Sequence, residues 1–189
     1  MTTAATRAND PGAATTIGVA IAVPDPWGAQ LQAYRAALGD DTAGGIPTHV
    51  TLMPPFAAAH GDVPVIEKHL AEASAATRPF RIHLRGTGTF RPVSPVVFVT
   101  VAEGISACEQ LAAKVRRGPL RTELQFPYHP HVTVAHHLED PALDRAFSEM
   151  ASFECRFEVD HFSLYVHDSD DGWVPTRDFA LTADGREPR

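Results

Sequence analysis

The chain is short of the features that would commit it to an oxidising compartment, a membrane or a long nucleic-acid tract. It has only two cysteines, Cys108 and Cys155. One falls in a helical pattern and the other in a strand pattern, both apolar, so two buried thiols are expected rather than a disulfide, and a reducing compartment fits. No apolar run approaches the roughly 20 residues that a membrane helix needs. Glycine-rich phosphate loops are missing too, since neither Gly44-Gly45 nor Gly86-Thr87-Gly88 leads from a strand into a helix with the required spacing. Positive charge is scarce: 16 Lys and Arg face 23 Asp and Glu, for a formal net charge of -7. A broad footprint on long nucleic acid is therefore not expected, because such affinity comes mostly from neutralising phosphates. A small phosphorylated ligand, or the end of an oligonucleotide, stays compatible with this charge.

What the chain does contain is alternation. Ile17, Val19, Ile21 and Val23 recur at every second position and predict a first strand. Trp27, Leu31, Tyr34 and Leu38, behind a capping Asp25 and Pro26, predict a helix that stops near Gly39. A strand then begins near Thr48 and is expected to end at Pro54-Pro55, two residues without backbone donors. Further helices are predicted from about Val63 to Ala76 behind Asp62, from Ile105 to Arg117, and after Asp140-Pro141. Further strands are predicted at Phe80 to Leu84, Val96 to Val101, near His131 to His136, along one long run from Phe153 to Val166, and from Trp173 to Leu181. Gly86-Thr87-Gly88 reads as a turn, and so does the Asp168 to Gly172 stretch. Helices beside strands that return in hairpins indicate an α+β class. Residues 1–16 are small and polar without a signal-peptide pattern and read as a disordered tail. A single domain over 17–184, forming a monomeric cytoplasmic protein, is the expectation.

The most informative stretches are Thr48-His49-Val50-Thr51-Leu52 and Pro130-His131-Val132-Thr133-Val134. In a strand, side chains two apart share a face. Each copy therefore offers a His and a Thr on one side and apolar residues on the other. The histidines lie 82 positions apart (131 minus 49), so they can cooperate only if the fold sets two equivalent strands side by side. Four side chains would then converge: His49, His131, Thr51 and Thr133. Imidazoles near pH 7 can take and give protons, and hydroxyls can donate to the non-bridging oxygens of a phosphate. The set suits in-line phosphodiester transfer without a metal. A lone strand histidine is more often structural; the duplication is what argues for chemistry. A metal site is the second chemical reading, because His129, His131, His136 and His137 cluster, although no Cys or regular acidic spacing completes a familiar set.

These two motifs resemble the paired His-x-Thr-x motifs of the 2H phosphoesterase superfamily, in its 2'-5' RNA ligase-like and cyclic phosphodiesterase branch. The likeness runs from the first strand near Ile17 to the last near Leu181. It implies a bilobal α+β fold in which two pseudo-symmetric lobes of antiparallel sheet with flanking helices surround a central cleft. It also implies hydrolysis of 2',3'-cyclic phosphates on nucleotides or RNA ends, or of related linkages, with no cofactor and generally without metal. By this resemblance His49 would be the acid, His131 the base, and Thr51 and Thr133 the phosphate-holding pair. Many relatives carry Arg shortly after the second motif where this chain has His136, and the segment Met53-Pro54-Pro55-Phe56 departs from the RNA ligase branch. A nucleotide-binding module of the same fold without catalysis is the alternative.

Around the motifs, Phe56 is a candidate for stacking on a base, Tyr128 and His129 for the mouth of the cleft, and Phe98 and Tyr165 for its floor. His136 is a conditional charge beside the second motif. Arg91 and Arg121 are candidate phosphate or rim cations, whereas Arg116 and Arg117 are expected to face solvent at a helix end. Trp173 reads as lobe packing.

Overall fold

The computed structural model describes residues 14–183. In chain order the elements are β1 (Ala14–Ala22), α1 (Trp27–Ala37), β2 (His49–Ala59), α2 (Val63–Ala75), β3 (Phe80–Thr89), β4 (Val96–Glu103), α3 (Ile105–Val115), β5 (His131–His136), α4 (Asp140–Glu149), β6 (Glu154–Val159), β7 (His161–Asp168) and β8 (Gly172–Ala180). The eight strands form one sheet in the order β6-β3-β4-β5-β2-β1-β7-β8, and its paired neighbours run antiparallel. The order divides at the β5/β2 seam. One half is β2-β1-β7-β8 and the other is β5-β4-β3-β6, so each motif strand heads its own four-stranded lobe.

The helices bury their apolar stripes on one face of the sheet. Leu31 of α1, Ile66 and Leu70 of α2, Leu111 of α3 and Leu143 of α4 join a core with Val50, Leu52, Val132 and Val134 from the two motif strands. Full burial of each such side chain stabilises by about 1.5–3 kcal/mol. Because strand side chains alternate, committing Val50 and Val132 to the helices forces their neighbours His49, Thr51, His131 and Thr133 onto the opposite face. Their half-buried state, between fully buried valines, is the signature of that alternation. The bilobal α+β architecture is thus present, with the sheet continuous across the seam.

Several local expectations give way. β2 does not stop at Pro54-Pro55 but runs to Ala59. The prolines fall where the β1 register slips between Ile17/Phe56 and Val19/Met53, and such a bulge spares donors that a regular ladder would demand. Gly86-Thr87-Gly88 is likewise not a turn. It is a bulge inside β3, with Gly86 at φ +69° and a register slip between Leu84 and Thr87. The long closing strand is two: the chain breaks at Asp160, β6 ends at one edge of the sheet, and β7 pairs with β1 in the other lobe. Asp62 makes no side-chain cap on α2, whereas the Asp25 carboxylate accepts from the Ala29 N–H at 3.0 Å. Residues 14–16, assigned to the tail by sequence, belong to β1; the rest of the expected tail, and residue 184, lie outside the described residues. Cys108 and Cys155 are buried and free, and burial raises the Cys155 thiol to about 11.

Candidate active site

The seam sets the geometry. β2 and β5 meet at Val50 opposite Val132, and in an antiparallel pair one step to either side places His49 across from Thr133 and Thr51 across from His131. Opposed side chains start about 4.5–5.5 Å apart and diagonal ones about 7–8 Å, so the two imidazoles sit on a diagonal with a hydroxyl at each remaining corner.

Both rings are held in the same way. His49 Nδ1–H donates to the Pro47 carbonyl at 2.5 Å, and His131 Nδ1–H donates to the His129 carbonyl at 2.7 Å. In each case the acceptor is two residues upstream, and a carbonyl can only accept. The neutral ring is therefore fixed as the Nδ1–H tautomer, and Nε2 keeps its lone pair for the cleft. Thr51 Oγ1 lies 3.1 Å from His49 Nε2 and donates to it. Burial lowers the pKa of His49 below its ordinary 6.5; the Pro47 carbonyl opposes that shift and the Arg35 charge adds to it. Burial also lowers His131, against the pull of the His129 carbonyl and with the charges of His129 and His49 pushing the same way as burial. Both shifts favour the neutral imidazoles at pH 7 in the free protein, and the charged form of His131 is further disfavoured by His49.

The surroundings of the two rings differ. Beside His49 and Thr51 a cavity of about 180 Å³ opens, lined by Gly18, Ala20, Pro47, Met53, Tyr165 and Trp173 among others. Trp173 lies so close over Gly18 that a Cβ there would sit 3.1 Å from its ring. Beside His131 the matching space is filled. Phe98 packs on Phe90 with ring centroids 4.5 Å apart, and both rings touch His131, at 5.0 and 4.9 Å. The Phe98 ring lies directly across Gly88, where a Cβ would come within 2.5 Å of it.

Of the other residues singled out by sequence, Tyr165 lines the cavity and Phe98 backs the second histidine. His129 is exposed and stacks against His131 at 6.2 Å. Tyr128 does not line the cavity: its hydroxyl donates to the Thr51 carbonyl at 2.8 Å, tying the loop before β5 to the first motif strand, and burial raises its pKa. Phe56 is half-buried, pairs with Ile17 and packs on the core. Arg91 is engaged at the surface by Asp144 at 2.7 Å and Asp140 at 3.4 Å. Arg116 does not face solvent; it stacks on the Tyr128 ring at 4.6 Å. Arg121 is exposed on the loop before β5, and Arg117 is exposed after α3. His136 is exposed and sits edge-on to His137 at 3.9 Å. Among the described residues no group of three or more His, Cys, Asp or Glu is placed to hold a metal ion.

Sequence reasoning missed Trp173 as a cavity residue, since only the register of β8 on β7, and of β7 on β1, brings it over Gly18. It also missed the buried Arg35 and Asp40. Their signal was present: Arg35 falls one turn after Leu31 on the apolar stripe of α1, and a charged residue on a buried stripe requires a partner.

A bilobal antiparallel sheet that sets two His-x-Thr strands side by side, with both motifs on one open face, defines the two-histidine phosphoesterase fold. Within it, this chain belongs to the 2'-5' RNA ligase superfamily, whose sequence profile matches residues 23–171. A Bacillus licheniformis protein named "Putative phosphoesterase" is 28% identical over 140 residues, covering 73% of this chain and 82% of that one. A namesake from Oceanobacillus iheyensis is 28% identical over 141 residues, covering 74% and 82%. The crystal structure of E. coli LigT in apo form superposes with a TM-score of 0.64 at 21% identity, covering 90% of this chain and 99% of that one. The same protein complexed with 3'-AMP gives 0.62 at 19% identity, with the same coverage. At those identities the likeness establishes the fold.

Proposed function

We propose that the protein is a phosphoesterase that hydrolyses a cyclic phosphodiester, either a nucleoside 2',3'-cyclic phosphate or a short RNA ending in one. The observation that carries this reading is the matched mounting of His49 and His131. Two imidazoles from different lobes are each pinned through Nδ1 and each present Nε2 to the same face, with Thr51 and Thr133 between them.

His131 acts as the base and His49 as the acid. His131 Nε2 takes a proton from water, the oxygen attacks phosphorus, and the opposite P–O bond breaks. His49, brought to its imidazolium form by the negative charge of the bound phosphate, then delivers its Nε2 proton to the departing ribose oxygen and returns to the neutral Nδ1–H ring. Thr51 and Thr133 donate to the non-bridging oxygens, where charge accumulates. The cavity supports this orientation: the leaving oxygen stays attached to the nucleoside, and the open space lies on the His49 side against Tyr165 and Trp173. Both proton transfers are served by the two imidazoles, so the scheme asks for no metal or cofactor. An apolar cavity beside His49 and Thr51 supports the reading of a small nucleotide or RNA end as substrate. The E. coli relative has been crystallised with 3'-AMP and with phosphate, ligands of the product class expected here.

A product-resolved assay over 2',3'-cyclic nucleotides, short cyclic-ended RNAs and cyclic ADP-ribose phosphates tests the reading. Turnover that is lost in His49→Ala and in His131→Ala, with both variants folded, is the expected result. Nucleotide binding with no product from any substrate at any pH would replace the enzyme with a binding module.

A further inference from the structure

Beneath His49 lies a buried polar network that the reaction scheme does not use. Arg35 is only 4% exposed, and its Nε and Nη2 both donate to one oxygen of Asp40, at 3.0 and 2.8 Å. The other Asp40 oxygen accepts from the backbone N–H and the hydroxyl of Thr42, at 3.0 and 2.6 Å. Burial would raise the Asp40 carboxyl, but these donors outweigh it and hold it below its usual range. The remaining arm of Arg35, Nη1, donates to the Ile46 carbonyl at 2.7 Å.

Gln32 completes the frame. Its Nε2 donates to the same Ile46 carbonyl at 3.2 Å and to the Ala43 carbonyl, and its Oε1 accepts from the Thr48 hydroxyl at 2.7 Å. The Thr48 carbonyl in turn accepts from Val23 N–H at 3.0 Å. The residues before and after Pro47 are therefore both tethered, and Pro47 itself has a fixed φ. Its carbonyl is left as a rigid strut, and that strut is the one His49 Nδ1–H uses. The strut under His131 is built differently: His129 is exposed, and its neighbour Tyr128 is tied to Thr51 by a single hydroxyl.

We propose that Gln32, Arg35 and Asp40 are positioning residues that lock the Ile46–Thr48 segment, so that the Pro47 carbonyl holds His49 in its Nδ1–H tautomer with Nε2 facing the cleft. Their catalytic consequence rests on the reading of His49 as the proton donor. Losing the lock lets the ring rotate or exchange tautomers, and displacement of a reacting group by about 1 Å can cost roughly 10²-fold in rate.

The test is long-range proton–nitrogen NMR of the histidine rings in the full-length chain, paired with steady-state kinetics on a 2',3'-cyclic nucleotide. The variants are Arg35→Met/Asp40→Leu, which removes both buried charges together, and Gln32→Leu, which keeps them. Tyr34→Phe, on the same helix, is the control. In the wild type the His49 ring-nitrogen shifts should report one tautomer. In the paired variant they should move to an average of two, while His131 keeps its shifts. The kcat should fall roughly tenfold to hundredfold, with KM changed by less than about threefold. Should the paired variant fail to fold, Gln32→Leu decides alone, with the same direction and a smaller effect. Unchanged His49 shifts and kcat in the folded variants would overturn the proposal, and so would equal disturbance of both histidines, which would mark a general loosening. If no cyclic phosphodiester is turned over, the ring-nitrogen shifts still decide the positioning role, and the enzymatic reading fails separately.

Discussion

The two lobes carry the same chemistry in unequal rooms. On the strand beside the first motif, Ala20 stands opposite Thr51; on the strand beside the second, Phe98 stands opposite Thr133. These are matching positions about the seam, and one holds a methyl group where the other holds a phenyl ring. The first lobe is therefore hollow beside its histidine and the second is solid. In the proposed reaction, duplication of His-x-Thr supplies a symmetric pair of proton carriers, but a substrate has two different ends. The asymmetry that receives it comes from neighbouring strands rather than from the motifs.

The largest expected effect breaks the solid half. Phe98→Ala should cost about 3–5 kcal/mol of stability, as large-to-small changes in a packed site do, measured by denaturant unfolding. A loss under about 1 kcal/mol would show that the second half is not packed as described. The complementary change, Ala20→Phe, makes the open half resemble the closed one. Filling the cavity should remove about 1–3 kcal/mol of base stacking, a rise in KM of roughly 5-fold to 150-fold, with the fold retained. An unchanged KM would place the nucleoside elsewhere.

The pH dependence sharpens the comparison. Burial lowers both imidazoles from 6.5, so under the proposed roles the base stays free, and the acid loses its proton, on the acid side of that value. The kcat/KM profile, which reports the free protein, should be bell-shaped with its optimum below about pH 6.5. The bound phosphate's negative charge favours both imidazolium forms, so the kcat profile should sit at higher pH. The same shifts have a stability consequence. Between the folded pKa and 6.5 the unfolded chain binds more protons than the folded one, so stability is full above pH 6.5 and falls as pH drops below it. Thermal melts of His49→Ala and His131→Ala should show less of this acid-side loss than the wild type.

The smallest effect concerns the tie between the halves. Tyr128→Phe deletes the hydroxyl bond to the Thr51 carbonyl and should cost about 1 kcal/mol, read as a shift in unfolding midpoint. A neutral substitution would show that the tie contributes nothing.

What could be read from the sequence followed from periodicity. The half-buried faces of β2 and β5, the stripes of the helices and the pairing of the motifs are all local patterns that each segment states by itself. What could not be read depends on partners. Pro54-Pro55 ends an isolated strand, yet a bulge against β1 carries the strand past them. The run from Phe153 to Val166 alternates throughout, yet its halves pair in different lobes. Tyr165, Trp173 and Gly18 meet only once the register of three strands is set, so the cavity has no signature along the chain. Arg91 stands in the sequence as a candidate phosphate or rim cation because its partners Asp140 and Asp144 lie far from it along the chain. Arg35, by contrast, carries its signal in the sequence, one turn after Leu31 on the buried stripe of α1.

The central claim is that His49 and His131 face one phosphate. Titrating the wild-type protein with a nucleoside 2'- or 3'-monophosphate, while following the ring nitrogens of both histidines, tests it directly. The account predicts that the Nε2 signals of both move along a single binding curve while both Nδ1 nitrogens stay bound to their protons; movement of only one ring, or two curves with different midpoints, would contradict it.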